Sequence, residues 1–222
     1  MLNDMISIKN PKSVVAEAFR TLRTNIQFSL LDEEIKTVVV TSTKPSEGKS
    51  TVISNLAITM AQAGKKVLLI DCDLRKPTIH KKFGISNQEG LTNILAKERN
   101  INEVIKASNI NNFYILTSGP IPPNPAELLG SKRFKMLIKE LKETFDIVLL
   151  DAPPVLAVTD AQILSTICNG VIFVAEYGQA EKNAIVMGKE LIEKVGGKIL
   201  GVVLNKVPTK SSNYYYYNYD YK

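Results

Sequence analysis

Short runs of consecutive apolar residues alternate along the chain with longer stretches in which apolar positions recur every three or four residues. Thr37-Val-Val-Val-Thr41 and Val67-Leu-Leu-Ile70 have the β-branched or wholly apolar character of strands buried on both faces. Further strands are predicted at residues 113–117, 146–150, 171–175 and 199–204. Helices are predicted at residues 13–30, at 50–63 with a stop at Gly64, and at 131–144, 160–167 and 181–195. In the first helix Val14, Ala18, Leu22 and Ile26 form the expected apolar stripe, with Glu17, Arg20 and Arg23 beside it. The alternation predicts an α/β fold: a doubly wound, mainly parallel sheet with helices on both faces, in a single domain. Such sheets bind ligands outside the carboxyl ends of their strands.

Composition narrows the classes without choosing among them. The 222 residues are 45% hydrophobic, enough for one packed core. No apolar run approaches the roughly 18 residues of a membrane span, and residues 1–10 lack a secretory pattern, so a cytoplasmic location is expected. Cys72 and Cys168 have no partners at metal-ligand spacing and read as small core residues. His80, the only histidine, has nothing near it to make a Ser-His or Cys-His nucleophile system. The formal charge of +6 is spread out, with clusters of only two cations, and no nucleic-acid partner is expected from it.

The chemistry starts in the loop after the first strand: Thr43, Lys44, Pro45, Ser46, Glu47, Gly48, Lys49, Ser50, then Thr51. A Walker A phosphate loop reads Gly-x4-Gly-Lys-[Ser/Thr], and Thr43 stands where the first glycine belongs. The surroundings restore the match, because a buried strand leads in, Gly48-Lys49-Ser50 closes the loop and a helix opens at once. Gly48 lets backbone N–H groups converge on phosphate, and the helix N-terminus adds a favourable dipole. Lys49, read as a charge on an exposed loop, would neutralise the β- and γ-phosphates of ATP, and Ser50 would ligate Mg²⁺. Asp151 ends a strand as a Walker B aspartate does. Asp71 and Asp73 follow another strand and share one side if the chain stays extended, where a carboxylate holds metal or takes a hydroxyl proton. A single strand-end Asp is ordinarily a turn former; three on the edge that carries the loop indicate a P-loop NTPase-like site.

With these residues in hand, the sequence resembles the bacterial tyrosine kinases, particularly the separate kinase subunits of capsule and exopolysaccharide systems, from about Glu17 to the C-terminus. Residues 41–51 are similar to the family's Walker A, Asp71-Cys-Asp-Leu-Arg-Lys-Pro77 to its Walker A′ and Val148-Leu-Leu-Asp-Ala-Pro-Pro154 to its Walker B; residues 118–129 resemble a further family segment. Glu17, Arg20 and Arg23 resemble the Glu-x2-Arg-x2-Arg motif that joins subunits into a ring. Tyr214, Tyr215, Tyr216, Tyr217, Tyr219 and Tyr221 resemble the tyrosine cluster that such kinases phosphorylate on themselves.

The resemblance implies an ATP- and Mg²⁺-dependent protein-tyrosine kinase. It puts Lys49 and Ser50 on phosphate and Mg²⁺, Asp73 and Asp151 around the metal, and Asp71 in the role of base for the tyrosine hydroxyl. It implies a ring homo-oligomer that labels its tails in trans and regulates capsular or exopolysaccharide biosynthesis and export. It further implies a transmembrane adaptor whose cytoplasmic tail activates the kinase and recruits it to the inner face of the membrane. A cognate tyrosine phosphatase and polysaccharide-biosynthesis enzymes are further implied partners. Residues 1–205 are expected to form the kinase domain, with an oligomerisation helix at about 13–30, and 206–222 a flexible tyrosine-rich tail.

Several features keep a second reading. Charges at i, i+3 and i+6 alone describe a solvated helix face. Asn205 follows the last strand, where related P-loop ATPases read adenine, and is equally an ordinary turn residue. A partitioning or division-site ATPase shares the fold and carries a lysine at the second loop position, as Lys44 does here. A nucleotide-switched scaffold of an export complex is the non-enzymatic alternative. The Arg75-Lys76-Pro77 ending, the Glu17/Arg20/Arg23 helix and the tyrosines favour the kinase.

Overall fold

The apolar runs pair into one sheet because residues buried on both faces leave the backbone no water to bond to. The computed structural model describes residues 5–29 and 34–208. The tail tyrosines Tyr214, Tyr215, Tyr216, Tyr217, Tyr219 and Tyr221, and Leu30, lie outside the described residues. In chain order the elements are α1 (Ile6–Lys9), α2 (Val14–Gln27), β1 (Thr37–Ser42), α3 (Lys49–Gln62), β2 (Val67–Asp71) and α4 (Ile79–Phe83). Next come α5 (Leu91–Leu95), α6 (Ile101–Val104), β3 (Lys106–Ala107), β4 (Phe113–Leu116), α7 (Pro125–Gly130) and α8 (Lys132–Thr144). The described chain finishes with β5 (Ile147–Asp151), α9 (Asp160–Ser165), β6 (Gly170–Glu176), α10 (Lys182–Lys194) and β7 (Ile199–Asn205).

The sheet order is β3-β4-β2-β5-β1-β6-β7. Every pairing is parallel except the two-residue β3, which runs antiparallel to β4. After β1 the chain first builds the β2 side of the sheet and later crosses to β6, so the loop that leaves β1 opens where the winding reverses. Register does the rest. Asp151 pairs with Val40 on one side and with Asp71 on the other, which sets two carboxylates side by side at the carboxyl edge.

One face of the sheet is covered by α3, with α1 and α2 packed outside it; Val52, Ile53 and Leu56 lie against Val38, Val40 and Leu69. Being sandwiched, α3 is buried nearly all round, which explains its lack of a polar face. The other face carries α8, α9 and α10 through Phe134, Leu137, Leu164 and Ile192. At Gly188 the backbone of α10 comes so near the sheet that a Cβ would stand 3.0 Å from both Phe173 and Val155.

Three expectations change. In α2 the inward residues are Ala16, Phe19, Leu22 and Ile26, while Val14 and Ala18 face solvent. A strict i, i+4 row drifts about 40° per step around a helix, so its first two members leave the contact face and Phe19 takes the place. Edge strand β7 is covered on one side only, leaving Val202 and Leu204 more than half exposed. Cys72 is buried as expected, but Cys168 is only partly so. The short helices α1, α4, α5, α6 and α7 have four to six residues each, too few for a helical period to register in sequence.

Candidate active site

The loop from Thr43 to Gly48 folds without its first glycine because Thr43 does not need one. Within the loop only Ser46 (φ 69°) and Gly48 (φ 93°) adopt left-handed conformations. Gly48 is required twice over, for its φ and because a Cβ there would collide with the side-chain amide of Asn205. The carboxylate of Glu47 turns into the loop, where Oε2 accepts from the N–H groups of Thr43 and Lys44, both at 2.8 Å, and from the Thr43 hydroxyl at 3.1 Å. Pro45 lines the mouth beside Ser46. Lys44 points away to pair with Glu181 at 2.5 Å, both largely exposed.

Helix α3 begins at Lys49, so the side chains of Lys49, Ser50 and Thr51 leave its first turn. Lys49 is not on an exposed loop; its side chain is 12% exposed and its Nζ lies 3.1 Å from Asp73 Oδ2, 3.7 Å from Asp151 Oδ1 and 3.5 Å from Ser50 Oγ. Burial disfavours its charge, but attraction to Asp151 and Asp73 outweighs that and raises its pKa. The chain does not stay extended after β2. The N–H of Asp73 donates to Asp71 Oδ1 at 3.3 Å, closing a turn, while Asp71 Oδ2 accepts from the N–H groups of Thr78 and Ile79 at 3.0 Å. Burial first, then repulsion from Asp151, pushes the Asp71 carboxyl up to about 8. Burial likewise raises Asp151, opposed by Lys49.

Asp151 is wholly buried, and neither of its oxygens accepts a hydrogen bond among the described residues. A buried carboxylate with open lone pairs, beside Ser50, Asp73 and Lys49, fits a divalent cation bound mainly by phosphate and water. The described residues contain no group of three His, Cys, Asp or Glu side chains that could hold a metal ion. A cavity of about 720 Å³ opens here, lined among others by Ser46, Gly48, Lys49, Asp73, Lys82 and Lys206, with Asp71 and Asp151 buried behind its lining residues. A larger one of about 1060 Å³ between α6 and α8 has no comparable set of interacting ionisable groups. Chemistry rather than volume therefore locates the site.

Two residues with no motif to mark them support this edge. Asp160, fully buried at the start of α9, receives Arg75 through two bonds of 3.0 Å. Its only sequence signal was the arginine of the Arg-Lys-Pro segment, whose partner lies 85 residues away. Asp160→Ala should lower unfolding free energy by about 1–3 kcal/mol, as loss of a buried charged hydrogen-bond acceptor does; a urea titration with unchanged slope would check it. Lys82 on α4 donates to the Thr51 hydroxyl at 2.8 Å. Asn205 donates from Nδ2 to the Glu47 carbonyl at 2.9 Å, so in this structure it meets the phosphate loop.

Of the α2 motif, Glu17 and Arg20 pair with each other at 2.6 Å, and Arg20 also reaches the Pro11 carbonyl. Arg23 instead donates to the Thr59 carbonyl of α3 at 2.9 Å, anchoring α2 within the chain. No helix among the described residues is long and apolar enough to cross a membrane.

A family model described as an AAA domain matches residues 35–197. The tyrosine-protein kinase YwqD of Bacillus subtilis is 47% identical over 218 residues, covering 98% of this chain and 92% of that protein. The chain belongs to the bacterial tyrosine kinases. A solved kinase domain of this family, from the Escherichia coli tyrosine kinase ETK, superposes with a TM-score of 0.90 at 35% identity, covering 97% of this chain and 84% of that one. The cell division ATPase MinD of Pyrococcus furiosus shares the fold at lower similarity, with a TM-score of 0.64 and 27% identity over 76% of this chain and 71% of that one. The lysine at position 44, common ground with division-site ATPases, thus belongs to a bacterial tyrosine kinase frame.

Proposed function

We propose that this enzyme transfers the γ-phosphoryl group of ATP to the tyrosines of its own C-terminal segment, in trans between subunits of a ring. What carries the reading is one buried lysine and three carboxylates converging on a phosphate loop at the edge where β7 also ends. Lys49, with the N–H groups of the α3 start, binds the β- and γ-phosphates. Asp73, Asp151 and Ser50 would hold Mg²⁺, which when bound neutralises charge on the transferring group. Asp71, fixed by the Thr78 and Ile79 N–H groups, takes the phenolic proton as the tyrosine oxygen bonds to phosphorus and the bond to the ADP oxygen breaks.

Residues 1–205 then make the catalytic domain and 206–222 the substrate tail. From Leu204, Tyr214 lies at most about 35 Å away and Tyr221 about 60 Å, so both its own and a neighbouring site are in reach. Glu17, Arg20 and Arg23 supply the subunit contact that favours the neighbour. Full labelling of six tyrosines adds roughly −9 to −12 and turns the formal +6 to about −3 to −6, a repulsion that would open the ring. The system served is capsular or exopolysaccharide biosynthesis. There a transmembrane adaptor brings the kinase to the inner membrane face and a tyrosine phosphatase reverses the labelling.

Purified chain incubated with ATP and Mg²⁺ should gain mass in steps of about 80 Da on tail tyrosines. ATP hydrolysis with no phosphotyrosine would return the chain to a division-site type of ATPase, and labelling only by an added kinase would make it a scaffold. Asp71→Asn should slow transfer by about 10²–10⁴-fold, the range for a general base, with little change in nucleotide affinity. Asp73→Asn and Asp151→Asn should weaken Mg²⁺-nucleotide binding as well. Equal losses of both quantities in Asp71→Asn would make Asp71 a metal-site residue instead.

A further inference from the structure

Glu47 stands inside a loop whose chemistry attracts anions, yet its side chain is buried and no lysine or arginine pairs with it among the described residues. All its side-chain partners are donors of the protein itself: Thr43 twice, Lys44, and the Glu176 N–H at 3.4 Å on Oε1. The residue before it, Ser46, holds a left-handed φ that a side chain adopts only when its surroundings impose it. Those surroundings are specific. The Glu47 carboxylate closes the loop from Thr43 across Ser46 on the inside. From outside, Lys206 Nζ donates to the Ser46 carbonyl at 2.9 Å while pairing with Glu176 at 2.7 Å.

We propose that Glu47 is the positioning residue of the phosphate loop: its carboxylate ties the loop's first amides to its crest, and Lys206 clamps the crest to the ends of β6 and β7. The inference rests on the nucleotide-binding reading of the site. The carboxylate turns the Thr43 and Lys44 N–H groups inward and satisfies them. The N–H groups around Gly48 and the α3 start are left for phosphate. A loop with glycine at its first position can find its path by backbone freedom. Here the path is fixed by an internal acceptor, so Thr43 is tolerated and its hydroxyl becomes one of the ties. Because Lys206 lies just beyond β7, the root of the C-terminal segment and the phosphate loop are joined by the same bonds.

The test is the affinity of the full chain for a fluorescent ADP analogue with Mg²⁺. Glu47→Gln keeps the size but loses the charge and presents an amide donor to another N–H; affinity should fall about tenfold or more, as for loss of a charge-assisted bond. Lys206→Met, at the surface, should weaken binding about threefold. The deciding variant is Ser46→Gly added to Glu47→Gln, since glycine holds the left-handed conformation unaided. It should recover most of the lost affinity at a temperature well below the melting of either variant, where both are folded and a gain of global stability alone leaves affinity unchanged. If Glu47→Gln does not fold, Lys206→Met and its Ser46→Gly double are compared in its place. Unchanged affinity in Glu47→Gln, or a loss that Ser46→Gly leaves untouched, overturns the brace. A wild-type chain that binds no ADP analogue overturns the nucleotide reading and the brace with it.

Discussion

Lys49→Met should cut tail phosphorylation by roughly 10²–10³-fold or more, the loss that follows removal of one preorganised group from developing charge. The same variant should also be less stable without nucleotide. Lys49 lies among Asp73, Asp151 and, farther off, Asp71, and its removal takes from the buried carboxylates the cation they pair with, leaving only the more distant Lys82 and Arg75. Those carboxylates answer by binding protons, so the loss of stability should be a few kcal/mol at most. Two measurements separate the effects: phosphotyrosine formation at 20 °C, well below the variant's own melting temperature, and the melting temperature itself. Wild-type labelling by the variant would sink the assignment of Lys49. A large activity loss with unchanged melting would show that the three carboxylates do not need the lysine when nucleotide is absent.

Replacing Glu17, Arg20 and Arg23 together with Ala should give monomers and make labelling both slow and dependent on protein concentration. The tyrosines would then meet a neighbour's Asp71 only by collision. The structure refines the design of this experiment. Arg23 bonds to the Thr59 carbonyl inside its own chain, so Arg23→Ala also loosens α2 from α3. Among the described residues the side chains of Glu17 and Arg20 are tied only to each other and to the Pro11 carbonyl near the helix start, which makes their double variant the cleaner probe of a subunit contact. Sedimentation gives the oligomeric state, and a mixing experiment gives the direction of transfer: Lys49→Met protein should be labelled by an active chain that lacks residues 209–222. The ring-and-trans reading would be falsified if the triple variant labelled itself at the normal rate at every concentration. The tail would then serve its own site.

The sequence by itself pointed to six of the seven strands among the described residues, the main helices and four charged residues that the structure brings together beside the phosphate loop, because each of these is written locally; the two-residue β3 is too short to register. A run such as Val67-Leu-Leu-Ile70 has no polar alternate and reads as a buried strand, and Gly48-Lys49-Ser50 between a strand and a helix has few other uses. It also determined the family, through motifs spread over nearly the whole chain, and the comparison at 47% identity agrees. What it could not determine depends on distances between segments far apart in the chain. The pairing of Asp71 with Asp151 is a matter of β2–β5 register. The partner of Arg75 is 85 residues away, and the inward face of α2 was set by where Phe19 fits, not by its own i, i+4 row. Only the tertiary structure moved Lys49 from an exposed loop to a buried ion pair, since burial belongs to whatever packs around a residue. The missing first glycine is the sharpest case. Sequence pattern registers Thr43 as a defect, because it compares residue types position by position. Folded, Thr43 keeps an ordinary φ and the Glu47 carboxylate supplies the closure, a compensation visible only where side chain and backbone meet in space.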